Sequence, residues 1–522
     1  MNWRTHWPTG VLFAFLAASA IGMPRAAAQR AAAEIDSPPP TVDEAICDDA
    51  ALTNLCFVDR NTGWAVGDRG VIWHTRDGGA SWRRQASGVA APLKSVYFLD
   101  AARGWAVGGA NRPYAAGTEG IVLQTIDGGA TWARLASEML PALAGVRFFD
   151  AQHGLAFGGA SPTASSGLFA TRDGGRSWLP LPGDGAGDWL AGDFLDPVAG
   201  ALAGSGGRFA TLARRQVITS PLATTSLRSF RAMRLLPPTG GWVVGDGGLV
   251  ATTGDLGRSW QTPAGDLPDR AADHFDFCAV AVQGPHVWIA GSPGSRVFRS
   301  SDGGQTWQAH ATGRAAPIRA LDFVDDRHGW AVGDLGAILA TQDGGRSWRE
   351  QRSGGKRAAL LAIFARPDGV PLEILAKQGA EEGYLAAVEV LFQTESQAAP
   401  NRGLQEAPDD AARSARTREA LLLAGATSAE TAWQFRLPPD ELALTAAEIA
   451  EALDRANDSR ASERLLAHLV RQIRMWRPNV IISHHLPNEL NDPLAAIVAP
   501  LVSRAIEAAA DPTQFVELAT AA

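Results

Sequence analysis

From residue 52 to residue 350 the chain alternates apolar runs of four to six residues with turns rich in Gly and Asp, the grammar of short half-buried strands. One phrase recurs in register. Gly63-Trp64-Ala65-Val66-Gly67 leads to Asp77-Gly78-Gly79-Ala80-Ser81-Trp82, and Gly104-Trp105-Ala106-Val107-Gly108 leads to Asp127-Gly128-Gly129-Ala130-Thr131-Trp132. Gly154-Leu155-Ala156-Phe157-Gly158 leads to Asp173-Gly174-Gly175-Arg176-Ser177-Trp178, and Gly241-Trp242-Val243-Val244-Gly245 leads to Trp260. Val287-Trp288-Ile289-Ala290-Gly291 precedes Asp302-Gly303-Gly304-Gln305-Thr306-Trp307. Gly329-Trp330-Ala331-Val332-Gly333 precedes Asp343-Gly344-Gly345-Arg346-Ser347-Trp348. The turn tryptophans stand 41 to 50 residues apart, except for one double step between Trp178 and Trp260. A degenerate unit therefore fills that gap, with Gly204-Ser205-Gly206-Gly207-Arg208-Phe209-Ala210-Thr211 as its remnant, and the units number seven.

Each unit predicts three or four strands. The Asp-Gly-Gly turn needs positive φ, which Gly supplies at little steric cost. Its Asp accepts backbone N–H bonds inside the turn, and the Trp packs over it. A four-stranded sheet cannot bury both faces alone, whereas seven sheets stacked radially do so and leave only short edges. The prediction is an all-β seven-bladed propeller over 48–353. A parallel β-helix is the second choice, because its periods are shorter.

After Gly354-Gly355 the pattern changes. Strands are expected at Ala358 to Phe364, within Gly383 to Thr394, and at Val480 to His485. Helices are expected over Ser414 to Gly425, over Thr445 to Trp476 with a break at Asn457-Asp458, and over Ala495 to Ala509. Strands alternating with helices predict a smaller α/β Rossmann-like domain with a parallel sheet over 356–522, its ligand sites beyond the carboxyl ends of the strands. The chain stops soon after the last helix, as a shortened or truncated domain would.

Met1 to Ala28 reads as a secretory signal: Arg4, an uncharged run from Val11 to Met23 too short to span comfortably, then Ala26-Ala27-Ala28 before Gln29. Residues 29–47 read as a linker. The expected location is periplasmic or extracellular, with no stable transmembrane segment once the signal is removed. Gly 56, Trp 17 and Tyr 3 suit a strand-and-turn scaffold, and a net charge of -8 argues against nucleic acid as partner. Cys47, Cys56 and Cys278 lack zinc-knuckle spacing. The first two are close enough in sequence for a clip, while Cys278 reads as a strand cysteine.

The recurring Asp77, Asp127, Asp173, Asp302 and Asp343, with Trp82, Trp132, Trp178, Trp260, Trp307 and Trp348, are architectural, since a catalytic residue occurs once rather than in every unit. Candidate binding residues are Arg112 and Tyr114 in the insertion at 110–120, and Arg228, Arg231 and Arg234 in a basic stretch that also holds Arg208, Arg214 and Arg215. Such a stretch suits an acidic partner.

The recurring strand and turn resemble the photosystem II assembly factor family of seven-bladed propellers, found also as exported proteins in bacteria without photosynthesis. That resemblance covers residues 50 to 350 and implies a scaffold or assembly role toward an envelope or secreted protein, without cofactor. The turn also resembles the Asp-box of sialidases, but the arginine cluster and nucleophilic tyrosine of that chemistry are not matched. Carbohydrate recognition by the propeller is the alternative, and exposed indoles in one groove would mark it.

The second part resembles the LmbE/PIG-L family of zinc-dependent N-acetylglucosaminyl deacetylases. Its first strand would end in Ala-His-Pro-Asp-Asp-Glu, and here stands Ala365-Arg366-Pro367-Asp368-Gly369-Val370. Arg366 and Gly369 replace two metal ligands, and Asp368 keeps the position of the presumed base. Arg477-Pro478-Asn479-Val480-Ile481-Ile482-Ser483-His484 matches a later strand, and of the final His-Pro-Asp-His only Asp492 is kept. The resemblance implies a degenerate domain, with Asp368, His484 and Asp492 as residual candidates, no metal assigned, and a rebuilt site or N-deacetylase activity as the alternative.

Overall fold

The computed structural model describes residues 11–14, 44–112, 117–135, 139–161, 164–183, 187–220, 228–268, 271–354, 359–394, 410–437, 444–484, 492–515 and 518. Seven antiparallel sheets follow one another along the chain, each with its strands in chain order. The first strand of each blade faces a central channel: Leu52–Phe57, Leu93–Phe98, Leu143–Phe148, Trp189–Asp196, Phe230–Leu236, Asp276–Gln283 and Ile318–Phe323. Six blades have four strands. The fifth has three, and its outer edge is a single bridge between Thr252 and Gln261. The architecture is thus an all-β seven-bladed propeller joined to an α/β domain with a parallel sheet.

The turns explain the repeat. Thr75 Oγ1 donates to Asp77 Oδ1 at 2.8 Å, and the amide and hydroxyl of Ser81 donate to the two Asp77 oxygens at 2.8 and 2.6 Å. The same set recurs at Asp127, Asp173, Asp302 and Asp343. These bonds, from Ser81 first and then Thr75, hold the Asp77 carboxyl at about 2. Gly78 has φ 68°, a left-handed conformation that a side chain strains.

Tryptophans fasten blade to blade. Trp64 stacks on Phe98 of the next blade at 3.5 Å, Phe98 meets Trp132 edge-on at 5.9 Å, and Trp64 Nε1 donates to Gly128 O at 3.1 Å. Trp105 with Phe148 and Trp178, and Trp288 with Phe323 and Trp348, repeat the triad. The ring closes without an interleaved blade, because the last blade uses only its own strands. Trp330 stacks on Phe57 at 3.6 Å and donates to Gly78 O, Asp322 Oδ2 accepts from the Phe57 amide at 2.8 Å, and Arg60 pairs with Asp325. A Cβ on Gly63 would lie 2.5 Å from the Phe57 ring, so that position must stay small.

The structure fills in two units of the repeat. The Asp turn of blade 5 is complete: Thr253, Asp255, Gly257 and Ser259 make the same bonds, although Leu256 stands where the others have Gly. In blade 4, Ser205–Gly207, within the stretch read as the remnant of the degenerate unit, is the turn between the second and third strands, equivalent to Asp68–Gly70. The Asp turn itself is replaced by a tight hairpin with Arg214 and Arg215 at φ 51° and 68°. All three cysteines are free.

In the second part, β1 (Ala359–Phe364), β2 (Leu385–Val390), β3 (Ser428–Thr431) and β4 (Val480–His484) form a parallel sheet ordered β4-β1-β2-β3. Val11–Ala14, inside the stretch read as a signal, adds an antiparallel strand to the β4 edge. A helical segment from Leu372 to Glu381 connects β1 to β2, and the longer helices are α1 (Asp410–Leu423), α2 (Ala446–Ala456), α3 (Ala461–Trp476) and α4 (Pro493–Ala510). Thr445 and Glu448 form a capping box on α2, and positive φ at Asp458 and Ser459 makes the predicted break. β1 and β2 are buried along their whole length, and their side chains feed two cores, one on each face of the sheet.

Candidate functional site

The inner strands and the α/β domain together enclose a cavity of about 2630 Å³. Its mouth toward the α/β domain is ringed with charge. Three second strands end in Gly-Asp, and the acids Asp68, Asp246 and Asp334 are almost wholly buried. Each meets a cation from an inner strand. Lys94 lies 3.6 Å from Asp68, Arg231 donates twice to Asp246 at 2.8 and 3.1 Å, and Arg319 donates twice to Asp334 at 2.8 Å. The α/β domain joins this ring. Arg418 of α1 pairs with Asp68 at 2.5 Å, and Glu430 of β3 pairs with Arg319. Burial pushes the Asp68 carboxyl up, but Arg418 and then Lys94 outweigh it and hold the group well below its ordinary range. Glu430 is likewise pulled down to about 2, chiefly by Arg319 against its burial.

Asp276, at the start of the sixth inner strand, is a hub. Its Oδ1 accepts from Gly247 N at 2.7 Å and from Trp433 Nε1 at 3.0 Å, and its Oδ2 accepts from Arg471 Nη1 at 3.1 Å. Arg471 also donates to His468 Nδ1 at 3.1 Å, and His468 Nε2 faces Glu389 Oε1 at 2.7 Å. Both ring nitrogens of His468 are thus engaged. This chain of groups ties β2 of the sheet to the propeller and leaves the imidazole no lone pair for a substrate.

Deeper in the channel the balance differs. Asp193 accepts from the amides of Phe194 and Leu235, each at 2.9 Å, and Asp322 accepts from the Phe57 amide. These acids knit neighbouring inner strands together. Arg147 lies over the Tyr97 ring at 4.9 Å, and its buried Nε has no hydrogen-bond partner. Neither the Arg147 nor the Arg234 side chain has a hydrogen bond or ion pair to another described residue; Arg234 feels Asp322 only through space, opposing the burial that raises the Asp322 carboxyl. Burial pushes the Cys56 thiol beside them up to about 12. The channel therefore carries two guanidinium groups whose acidic neighbours are already used by the frame.

Residues 224–317 match the family described as "Photosynthesis system II assembly factor YCF48". The propeller resembles Ycf48. The photosystem II assembly lipoprotein Ycf48 of Synechococcus sp. (strain CC9902) is 33% identical over 116 residues, 21% of this chain and 33% of that protein. The Ycf48 of Thermosynechococcus vestitus is 26% identical over 183 residues, 33% of this chain and 50% of that protein. The chain thus spans a third to a half of the length of these curated relatives. Among solved structures, "YCF48 bound to D1 peptide" aligns with a TM-score of 0.45 at 24% identity, covering 56% of this chain and 92% of that one. A GH74 xyloglucanase of Xanthomonas campestris aligns with a TM-score of 0.46 at 15% identity, covering 60% of this chain and 56% of that one. All these matches concern the Ycf48-like propeller or its fold.

The residues singled out in the sequence fall in different places. Arg231 is bound to Asp246, and Arg234 lines the channel. Arg208 is tied to the turn carbonyl and hydroxyl of Ser205, and Arg214 and Arg215 sit in an outer hairpin, so the basic stretch is not one patch. Arg228 and Arg112 are exposed, and Tyr114 lies outside the described residues. Next to Arg112, the Asn111 amide donates to Glu419 of α1 at 3.0 Å, so the insertion touches the α/β domain. Arg147 escaped sequence reasoning, and its signal was a lone charge in the third inner strand where two units have Cys56 and Tyr97.

At the carboxyl ends of β1 and β4, the residual candidates do gather. Arg366 Nε lies 3.6 Å from Asp368, His484 Nδ1 lies 4.0 Å from Asp492, and a Cβ on Gly369 would sit 3.6 Å from the His484 ring. Zinc does not fit these donors. His484 Nε2 accepts from the Ala365 amide at 2.9 Å, Asp492 Oδ1 caps α4 through Leu494 and Ala495, and Arg366 adds positive charge. Burial, and then the charge of Arg366, lower the His484 pKa, while Asp492 opposes them. Among the described residues no three His, Cys, Asp or Glu side chains converge as a metal site.

Proposed function

We propose that this chain is an exported protein-binding scaffold that takes an acidic segment of a partner protein into the propeller channel. One observation carries the reading. Among the described residues Arg147 and Arg234 stand in the channel without ion-pair partners, while the nearby acids are spent on backbone amides. Guanidinium groups in such surroundings bind carboxylates through charge-assisted hydrogen bonds. The Ycf48 resemblance supports the same reading, since a solved Ycf48 is bound to a D1 peptide. Export rests on the leader-like residues 1–28, and the partner is accordingly an envelope or secreted protein.

The α/β domain is read as a degenerate relative of the N-acetylglucosaminyl deacetylases, without their hydrolysis. The residue replacements at Arg366 and Gly369 support that reading, together with the engaged His484 lone pair. The carbohydrate alternative lacks its mark, because every described tryptophan is buried or half-buried. The test is isothermal titration with a hexaglutamate peptide and a hexaglutamine control. Binding of the acidic peptide alone, lost in Arg147→Ala/Arg234→Ala, is expected. Equal binding of both peptides, or none, would overturn the assignment.

A further inference from the structure

The two parts of the molecule do not share a core. Each buried apolar cluster belongs wholly to the propeller or wholly to the α/β domain. What joins them is mostly polar, beside the buried Met475 against Ser292 and the Trp433 ring beside Gly247. Arg418 and Glu430 complete the charged ring at the mouth, and Arg471 and Trp433 hold Asp276. Arg69 donates to the carbonyls of Leu422 and Ala426 at 3.2 and 3.1 Å, and Asn111 donates to Glu419. These contacts fall on blades 1, 2, 6 and 7, around the mouth of the channel. The inner strands' own cations already have acids there: Arg231 has Asp246 and Arg319 has Asp334. The mouth thus keeps most of its charge balance when the α/β domain is away.

An interface carried mainly by charges and hydrogen bonds, without a shared apolar core, is the kind that comes apart without unfolding either side. We infer that the α/β domain is a detachable lid, latched electrostatically at Asp68, Arg319 and Asp276, and that its lifting opens this mouth of the channel. The consequence for ligand entry rests on the channel reading above, whereas the lifting itself does not.

Hydrogen exchange of the full-length protein tests the lid. Salt screens the charges of the lifted state and weakens the latch, so protection of the Asn111 amide, which donates across the interface to Glu419, should fall roughly tenfold between about 0.05 M and about 1 M salt. Strands Gly63–Gly67 and β1 should keep theirs. Asp276→Asn should produce the same loss at low salt. Protection at Asn111 that ignores both salt and Asp276→Asn would overturn the lid. So would β1 losing protection together with Asn111, because the domain would then be unfolding rather than lifting. A hexaglutamate probe added to the same samples separates the two ideas. Faster association in Asp276→Asn supports both, and failure to bind while Asn111 still opens removes the channel reading and leaves the lid.

Discussion

Arg231 and Arg234 stand three residues apart on one inner strand and face opposite circumstances. Arg231, at the lidded mouth, is held by both oxygens of Asp246, and that charge raises its already high pKa further. Arg234, deeper in the channel, faces Asp322 through space only. The mouth is a level where acids and bases answer each other, and the deeper channel is a level where they do not. A charge that the frame satisfies belongs to stability, and a charge left over in a cavity is available to a ligand.

The contrast is broken most severely at Asp68. Asp68→Ala leaves Arg418 and Lys94 facing an uncompensated gap at a buried position, at a cost of about 3–5 kcal/mol, read as a drop in urea midpoint. Arg147→Ala, by comparison, should cost under about 1 kcal/mol in the same titration, since it removes no satisfied pair.

Acid should weaken the mouth. Asp68 and Glu430 are depressed acids, so the stability they lend is fully present above the ordinary carboxylate range and is lost as pH falls through their folded values. Glu389 and Asp322, raised by burial, favour the protonated form in the folded state and blunt the loss. Thermal midpoints should therefore hold between about pH 7 and about pH 5 and fall below about pH 4. A midpoint already falling at pH 6 would place the sensitive groups elsewhere.

The smallest effect belongs to the Asp turns. Asp127→Ala removes the bonds from Thr125 and Thr131 at the surface and should lower the urea midpoint only slightly, with no change in peptide binding. Altered binding in that variant would bring the turn face of the propeller into play.

Sequence reading reached the repeat because the same physics repeats. Every Asp turn and tryptophan triad solves one packing problem, so the period and the blade count were on view. It missed Asp255 because Leu256 hides the Gly-Gly signature, although the Thr253, Asp255 and Ser259 spacing is intact. The strand-end cluster of Asp368, His484 and Asp492 was legible from the order of strands. The channel was not. Arg147 and Arg234 lie on different blades, and only closure of the ring brings both into one cavity. The charged seam of the α/β domain was invisible for the same reason, since Asp68 with Arg418 and Asp276 with Arg471 join distant segments.

The most direct measurement sets Arg234→Ala beside Arg231→Ala, with hexaglutamate affinity and urea midpoint recorded for each. The account predicts that Arg234→Ala loses roughly tenfold or more in affinity and keeps its midpoint, while Arg231→Ala, which strands the buried Asp246, loses midpoint and keeps affinity. The reverse pattern, or equal losses in both variants, would contradict the division between a structural mouth and a binding channel.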